Sequence, residues 1–191
     1  DLRRMSPKVS YRWRDFAEKI SWPEHRPYMK HYDGHNHRID RIVRPLETEI
    51  MGKEIFSEAF FSERTSPWLR LAKMYLVYQN GEACIACPIT CTEGLVALLE
   101  KYADTPETRR ILKHCKEGID GDFAIGAQYL SEIQGGSDVP SNVLEAVSEG
   151  EQWRLYGTKF FCSATHADYA VVTAKPAGSE DVALFVVPSW L

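Results

Sequence analysis

The chain has 191 residues, enough for one domain or two small ones, and 44% of them are hydrophobic, which suits a globular protein with a true core. Its formal net charge is −4, and no dense Lys/Arg block occurs, so nothing in the composition points to nucleic-acid binding by this segment. No apolar run approaches the roughly 20 residues of a bilayer span, no secretory signal is visible at the charged start, and five cysteines without the spacing of a stapled domain point to a reducing, cytoplasmic setting.

Residues 1–36 are rich in Arg, His, Pro and aromatics without a clean period. They read as an extended N-terminal arm with room for one short helix, ordered only by lying on something else. From Ile39 the spacing turns helical: Ile39, Ile42, Val43, Leu46 and Ile50 share one face. Pro45 interrupts this stretch, so either a kink or a late helix start is expected. A second helix is expected over Pro67–Gln79, capped by Ser66 with Pro67 at the first helical position. A third runs from about Gly81 to Tyr102 and is small and apolar almost all round, which argues for burial between other helices. A fourth fits Pro106–Lys116, with Thr105 as cap and Gly118 as stop.

After Gly121 the pattern changes. Phe123–Leu130 is apolar without a helical period, Ser131–Pro140 is a Gly/Ser/Asp loop, and four strands are expected at 143–147, 153–156, 169–174 and 182–187. Helices followed by strands, not alternating with them, predict an α+β fold. The boundaries expected are an arm over 1–36, an α-helical domain over 37–121 and a β-domain over 122–191. The last expected strand stands close to the end of the chain with an unpaired edge, so the β-domain reads as truncated.

The segment richest in chemistry is Tyr129-Leu130-Ser131-Glu132-Ile133-Gln134-Gly135-Gly136-Ser137-Asp138-Val139. Adjacent glycines let several backbone N–H groups approach one anion; an ordinary turn is the rival reading. About twenty residues later come Gly157-Thr158-Lys159-Phe160-Phe161-Cys162-Ser163. In order and spacing the pair resembles the two flavin-binding motifs of the acyl-CoA dehydrogenase family, approximately Tyr-x-x-Thr-Glu-x-x-x-Gly-Ser-Asp and Gly-x-Lys-x-Trp-Ile-Thr/Ser. Ala86-Cys87-Pro88-Ile89-Thr90, Gln134–Val139, Phe160–Ser163, and Asp33-Gly34 with Arg38-Ile39-Asp40 further resemble the AidB-like branch, associated with the response to DNA alkylation.

The resemblance implies an N-terminal helical domain followed by an antiparallel β-barrel or sandwich, FAD as cofactor, and α,β-dehydrogenation of an acyl-CoA thioester with hydride transfer to flavin N5. It implies cofactor-binding roles for Tyr129, Leu130, Ser131, Gly136, Ser137, Phe161, Cys162 and Ser163. Leu130 and Ser131 stand where the family meets the pyrimidine edge of the isoalloxazine, Gly136 and Ser137 where it meets the pyrophosphate, and Ser137 also where it meets the acyl-CoA. Phe161 replaces the family's Trp on the flavin and keeps an aromatic face without the indole N–H. Ser163 stands near N5. Glu132 is read as structural.

The family's catalytic base belongs to a C-terminal helical domain that this chain does not contain, so no catalytic residue is assigned and the chain alone is expected to be incompetent. A homo-oligomer, a tetramer by family analogy, is implied, with an electron-transfer flavoprotein as a candidate acceptor and no membrane partner. The alternatives are an AidB-like flavoprotein protecting DNA, where nucleic acid becomes a partner, and a non-catalytic subunit.

Three other groupings are set aside. Cys84, Cys87 and Cys91 share one helix face and read as buried thiols. His31, His35 and His37 with Asp33 read as a polar loop. Ser163, His166 and Asp168 are too close in sequence for an assembled triad.

Overall fold

A computed structural model describes residues 1–150 and 152–189. The chain forms two compact units, one of residues 1–86 and 116–123, the other of 87–115 and 124–191. Secondary structure changes from helix to strand near Gly121, but the units divide elsewhere. The division falls inside a helix after Ala86, and the two helices before Gly121 belong largely with the strands.

In the first unit the expected arm is replaced by helix and hairpin. α1 (Leu2–Pro7), a π-helical turn (Lys8–Arg12) and α2 (Trp13–Ile20) follow one another with helical backbone throughout. Met5, Val9, Trp13 and Ile20 are buried. Their spacing is the helical signal in this stretch; Pro7, which cannot donate to the carbonyl one turn back, and the wide turn after it disguise the period. Glu58, with its side chain fully buried, accepts from the guanidinium of Arg4 and from Lys8 at 2.8 Å.

β1 (Tyr28–Tyr32) and β2 (Arg38–Val43) form an antiparallel hairpin almost wholly exposed on both faces. Thus the helical spacing from Ile39 misleads. A strand occupies 38–43, and α3 (Leu46–Phe56) starts late, with Pro45 extended at its N-cap. Pro45 fixes its own φ and disfavours helix at Arg44, so the apolar stripe cannot be one helix. At the hairpin tip, Asp33 accepts from the backbone of His35 at 2.8 Å and His37 at 2.9 Å. Asp40 lies 2.8 Å from the His31 ring. α4 (Pro67–Tyr78) is capped as expected, with Leu69 N–H donating to the Ser66 hydroxyl at 3.3 Å.

In the second unit α5 (Ala83–Tyr102), which begins in the first, carries α6 (Pro106–Glu117) after it and packs on strands. By length and composition α5 could cross a bilayer, with a mean hydropathy of 1.5 over its most apolar window. Glu93 and the Glu100–Lys101 pair break the run and obscure its length in the sequence. It is not buried all round: Ile85, Ile89, Thr92, Leu95, Val96 and Leu99 are buried, while Thr90 and Ala97 are exposed.

The buried face meets β3 (Gly126–Tyr129). Gly126 N–H donates to the Thr92 hydroxyl at 2.8 Å, which donates to the Pro88 carbonyl at 2.7 Å. A Cβ on Gly126 would stand 3.0 Å from Thr92 Cα and 2.9 Å from Leu95 Cδ2. Gly126→Ala is therefore expected to lose about 1–3 kcal/mol by overpacking, measured as a lowered urea midpoint.

β4 (Glu145–Glu149), β5 (Gln152–Tyr156), β6 (Tyr169–Pro176) and β7 (Ala183–Pro188) complete an open five-stranded sheet. The sheet is mixed, not wholly antiparallel. β6 runs parallel to β3 along its first half and to β4 at its end, and antiparallel to β7. Residues 169–174 of β6 are buried, and β3 and β7 take up both backbone edges of this stretch.

Candidate functional site

The loop leaving β3 and the segment 159–164 meet within the second unit. Three kinds of tie join them. Phe160 N–H donates to the Ser131 carbonyl at 2.9 Å. Tyr129 hydroxyl reaches the Ala164 carbonyl at 3.4 Å. Beneath both lies a buried polar network centred on Glu132, Lys159, Asn142 and Thr173.

Glu132 is 2% exposed. Its Oε1 accepts from Lys159 Nζ at 2.7 Å and Leu144 N–H at 3.1 Å, and its Oε2 from Val143 N–H at 2.7 Å. Burial alone would push this carboxyl up, but the Lys159 bond and the two amides outweigh it and hold Glu132 below the usual carboxylate range. Both oxygens are committed, so the structural role expected for Glu132 is what the geometry provides.

Lys159, with its side chain 6% exposed, also reaches Thr173 Oγ1 at 2.9 Å and the Leu130 carbonyl at 3.3 Å. Asn142, fully buried, donates to the Leu130 carbonyl at 2.8 Å and to Thr173 Oγ1 at 2.9 Å. Thr173 hydroxyl in turn reaches the Leu130 carbonyl at 3.2 Å. Sequence reasoning missed Asn142 and Thr173. Thr173 is the one aliphatic hydroxyl in the stretch Tyr169–Ala174, between Val172 and Ala174, and that contrast was the available signal.

The network fixes the loop above it. Gly136 folds over Ser131 so closely that a Cβ there would collide with the Ser131 hydroxyl. The Ser141 hydroxyl donates to Asp138, closing the far side of the loop. Ser131 N–H meets no acceptor among the described residues. Ser137 is exposed on the loop, and Ser163 and Cys162 are half-buried; burial pushes the Cys162 thiol up. Tyr129, half-buried near Cys162 and Cys91, has its phenol pushed up to about 12, chiefly by burial. Phe161 is 83% exposed and has φ +58°, a left-handed backbone that costs a bulky side chain about 1–3 kcal/mol.

The structure thus gathers Tyr129, Leu130, Ser131 and Gly136 beside the segment that carries Phe161, Cys162 and Ser163, with Ser137 at the loop's exposed rim. An aromatic face in the open, a backbone N–H without an acceptor and a loop pressed close by a missing Cβ fit a flat, polar-edged ring system with an anionic tail. These features are what an FAD would need from one side.

Among the groupings set aside, Asp168 is committed to the Ile125 N–H at 2.8 Å. Cys87 and Cys91 sulfurs lie 4.0 Å apart, and burial together with Cys87 pushes the Cys91 thiol up to about 11.

Residues 127–190 match the family model described as acyl-CoA dehydrogenase, middle domain. Acyl-CoA dehydrogenase family member 11 of Caenorhabditis elegans is 24% identical, over 96% of this chain and 34% of its own length. AidB of Escherichia coli (strain K12) is 27% identical, over 86% of this chain and 33% of its own length. The chain therefore spans about a third of the length of the curated relatives it matches. The crystal structure of Caenorhabditis elegans ACDH-11 in complex with C11-CoA superposes with a TM-score of 0.85 at 22% identity, over 98% of this chain and 35% of that one.

Proposed function

We propose, for a chain whose residues 127–190 match the acyl-CoA dehydrogenase middle domain, that the whole protein is an FAD-dependent acyl-CoA dehydrogenase and that the site on β3 and the 159–164 segment holds one side of the flavin. The observation that carries this is the joining of the two motifs by the buried Lys159–Glu132 pair and the Phe160–Ser131 hydrogen bond.

In this reading the Leu130–Ser131 backbone and the Ser131 hydroxyl bind the pyrimidine edge, Phe161 packs on the ring, and Ser163 offers its hydroxyl near N5. Gly136 and Ser137 receive the pyrophosphate, Ser137 also the acyl-CoA, and Tyr129 and Cys162 support the pocket from below. Bound FAD supplies a two-electron acceptor, chemistry no side chain offers. Glu132 is excluded as the base that takes the α-proton: both its oxygens are engaged, and a carboxylate held below its usual range is a poor proton acceptor. No residue of this chain is assigned to that step. The five cysteines stand as free thiols, which suits a cytoplasmic setting.

A second reading draws on the similarity to AidB. In that reading the flavin would be kept, dehydrogenase activity would be slight and the protein would serve the response to DNA alkylation, as the AidB-like resemblance implies. One experiment separates the two. The whole protein, purified, is expected to release FAD on acid denaturation, and its anaerobic titration with a series of acyl-CoA thioesters is expected to bleach the flavin stoichiometrically for at least one chain length, whereas residues 1–191 alone are expected not to bleach. Bound FAD that no acyl-CoA bleaches favours the second reading; absence of flavin sinks both.

A further inference from the structure

The geometry points to Lys159 as a positioning residue that raises the reduction potential of the bound flavin by polarising the Leu130–Ser131 peptide. The inference rests on the functional reading above. Its starting point is an unusual carbonyl. Leu130 O is approached by three donors: Asn142 Nδ2 at 2.8 Å, Thr173 Oγ1 at 3.2 Å and Lys159 Nζ at 3.3 Å. A carbonyl has two lone pairs, so this oxygen is saturated, and one of its donors is a cation shielded from solvent.

A peptide bond shares its electrons between oxygen, carbon and nitrogen. Donors that draw density onto the oxygen leave the N–H at the other end more positive, and so a stronger donor. Chains of hydrogen bonds polarise one another by roughly 10–30% per bond. Here the far end of the peptide is the Ser131 N–H, which meets no acceptor among the described residues and in the functional reading faces the pyrimidine edge. Reduction places negative charge on that edge. A donor strengthened in advance therefore favours the reduced flavin over the oxidised one, as preorganised dipoles favour developing charge elsewhere.

The opposing charge of Glu132, 2.7 Å from Lys159, cancels most of the pair's field at a distance. What Lys159 adds at the cofactor must then travel through the carbonyl it touches. That separates the inference from simple charge attraction and supplies the test. Replacing both partners, Lys159→Met with Glu132→Gln, leaves net charge unchanged while removing the cationic donor. Thr173→Val removes one neutral donor to the same carbonyl and leaves the pair in place.

The experiment is a dye-equilibrated redox titration of the flavin bound to the purified protein and to both variants. The double variant is expected to lose about tenfold of its preference for reduced over oxidised flavin, a midpoint about 30 mV lower for a two-electron couple. Thr173→Val is expected to shift in the same direction by less. If the network is only a clasp, flavin retention falls and the potential of the flavin that remains does not move. An unchanged potential in Thr173→Val overturns the inference even where the double variant fails to hold flavin. A parent protein without flavin sinks the functional reading instead, and this inference with it.

Discussion

Glu132→Ala is expected to destabilise the second unit by about 3–5 kcal/mol, the range for removing one partner of a buried ion pair. The change strands Lys159, whose side chain is 6% exposed, and deprives the Val143 and Leu144 amides of their acceptor. The penalty comes from charge and amides left buried without partners, not from lost attraction. Lys159→Met with Glu132→Gln should accordingly be far milder, because the buried charges leave together. Urea unfolding of the three proteins checks the order. A double variant as unstable as Glu132→Ala would show that packing, not the orphaned charge, sets the loss.

The same carboxylate gives a pH signature. Its folded pKa is depressed, so its contribution is fully present above the ordinary carboxyl value of about 4.3 and is lost as pH falls through the lower folded value. Acid unfolding should lose this dependence in the double variant.

Trp13→Ala is expected to cost about 3–5 kcal/mol in the first unit. Trp13 is fully buried, and its Nε1 donates to Glu54 at 2.9 Å. Arg12 holds the same carboxylate through three contacts of 2.7–2.9 Å. Arg12 above all keeps Glu54 below the usual carboxylate range, and the Glu54 side chain is 27% exposed. Water and Arg12 can therefore serve it once the indole is gone, and the cost lies mainly in the cavity. Trp13→Phe, which keeps most of the ring and drops the donor, should recover more than half of the loss. Equal losses for Phe and Ala would place the effect in the hydrogen bond. Because the chain has two compact units, each variant should be followed by thermal melting with two probes, since a single transition cannot be assumed.

Local chemistry was the legible part of this sequence. Ser66 before Pro67 marked α4 to within a residue, and Thr105 does cap α6, its hydroxyl accepting from Thr108 N–H at 3.1 Å. The strand expected at 169–174 lies inside β6. The first forty residues were less readable. A π-turn stretches the period between Met5 and Ile20, and Ile39, Ile42 and Val43 satisfy a helical spacing while lying in a strand that Pro45 separates from α3. The motifs themselves named the loop and the 159–163 segment. What could not be read was the network joining them, because Asn142 and Thr173 come together across 31 residues of chain. Nor does anything local to Gly126 announce that Thr92 Cα leaves it no room for a side chain.

The sheet hangs on one strand, and that has a consequence for synthesis. Among the described strands β6 hydrogen-bonds β3, β4 and β7, yet it begins 43 residues after the start of β3, from Gly126 to Tyr169. At a ribosomal rate of about 5–20 residues per second, β3 waits about 2–9 s for its partner. During that interval the β4–β5 ribbon can close on itself, while β3 has only α5, already made, to lie against. The Thr92–Gly126 contact is then more than packing. It gives the nascent strand a berth on a finished helix, through Gly126 and Gln128, until the centre of the sheet arrives.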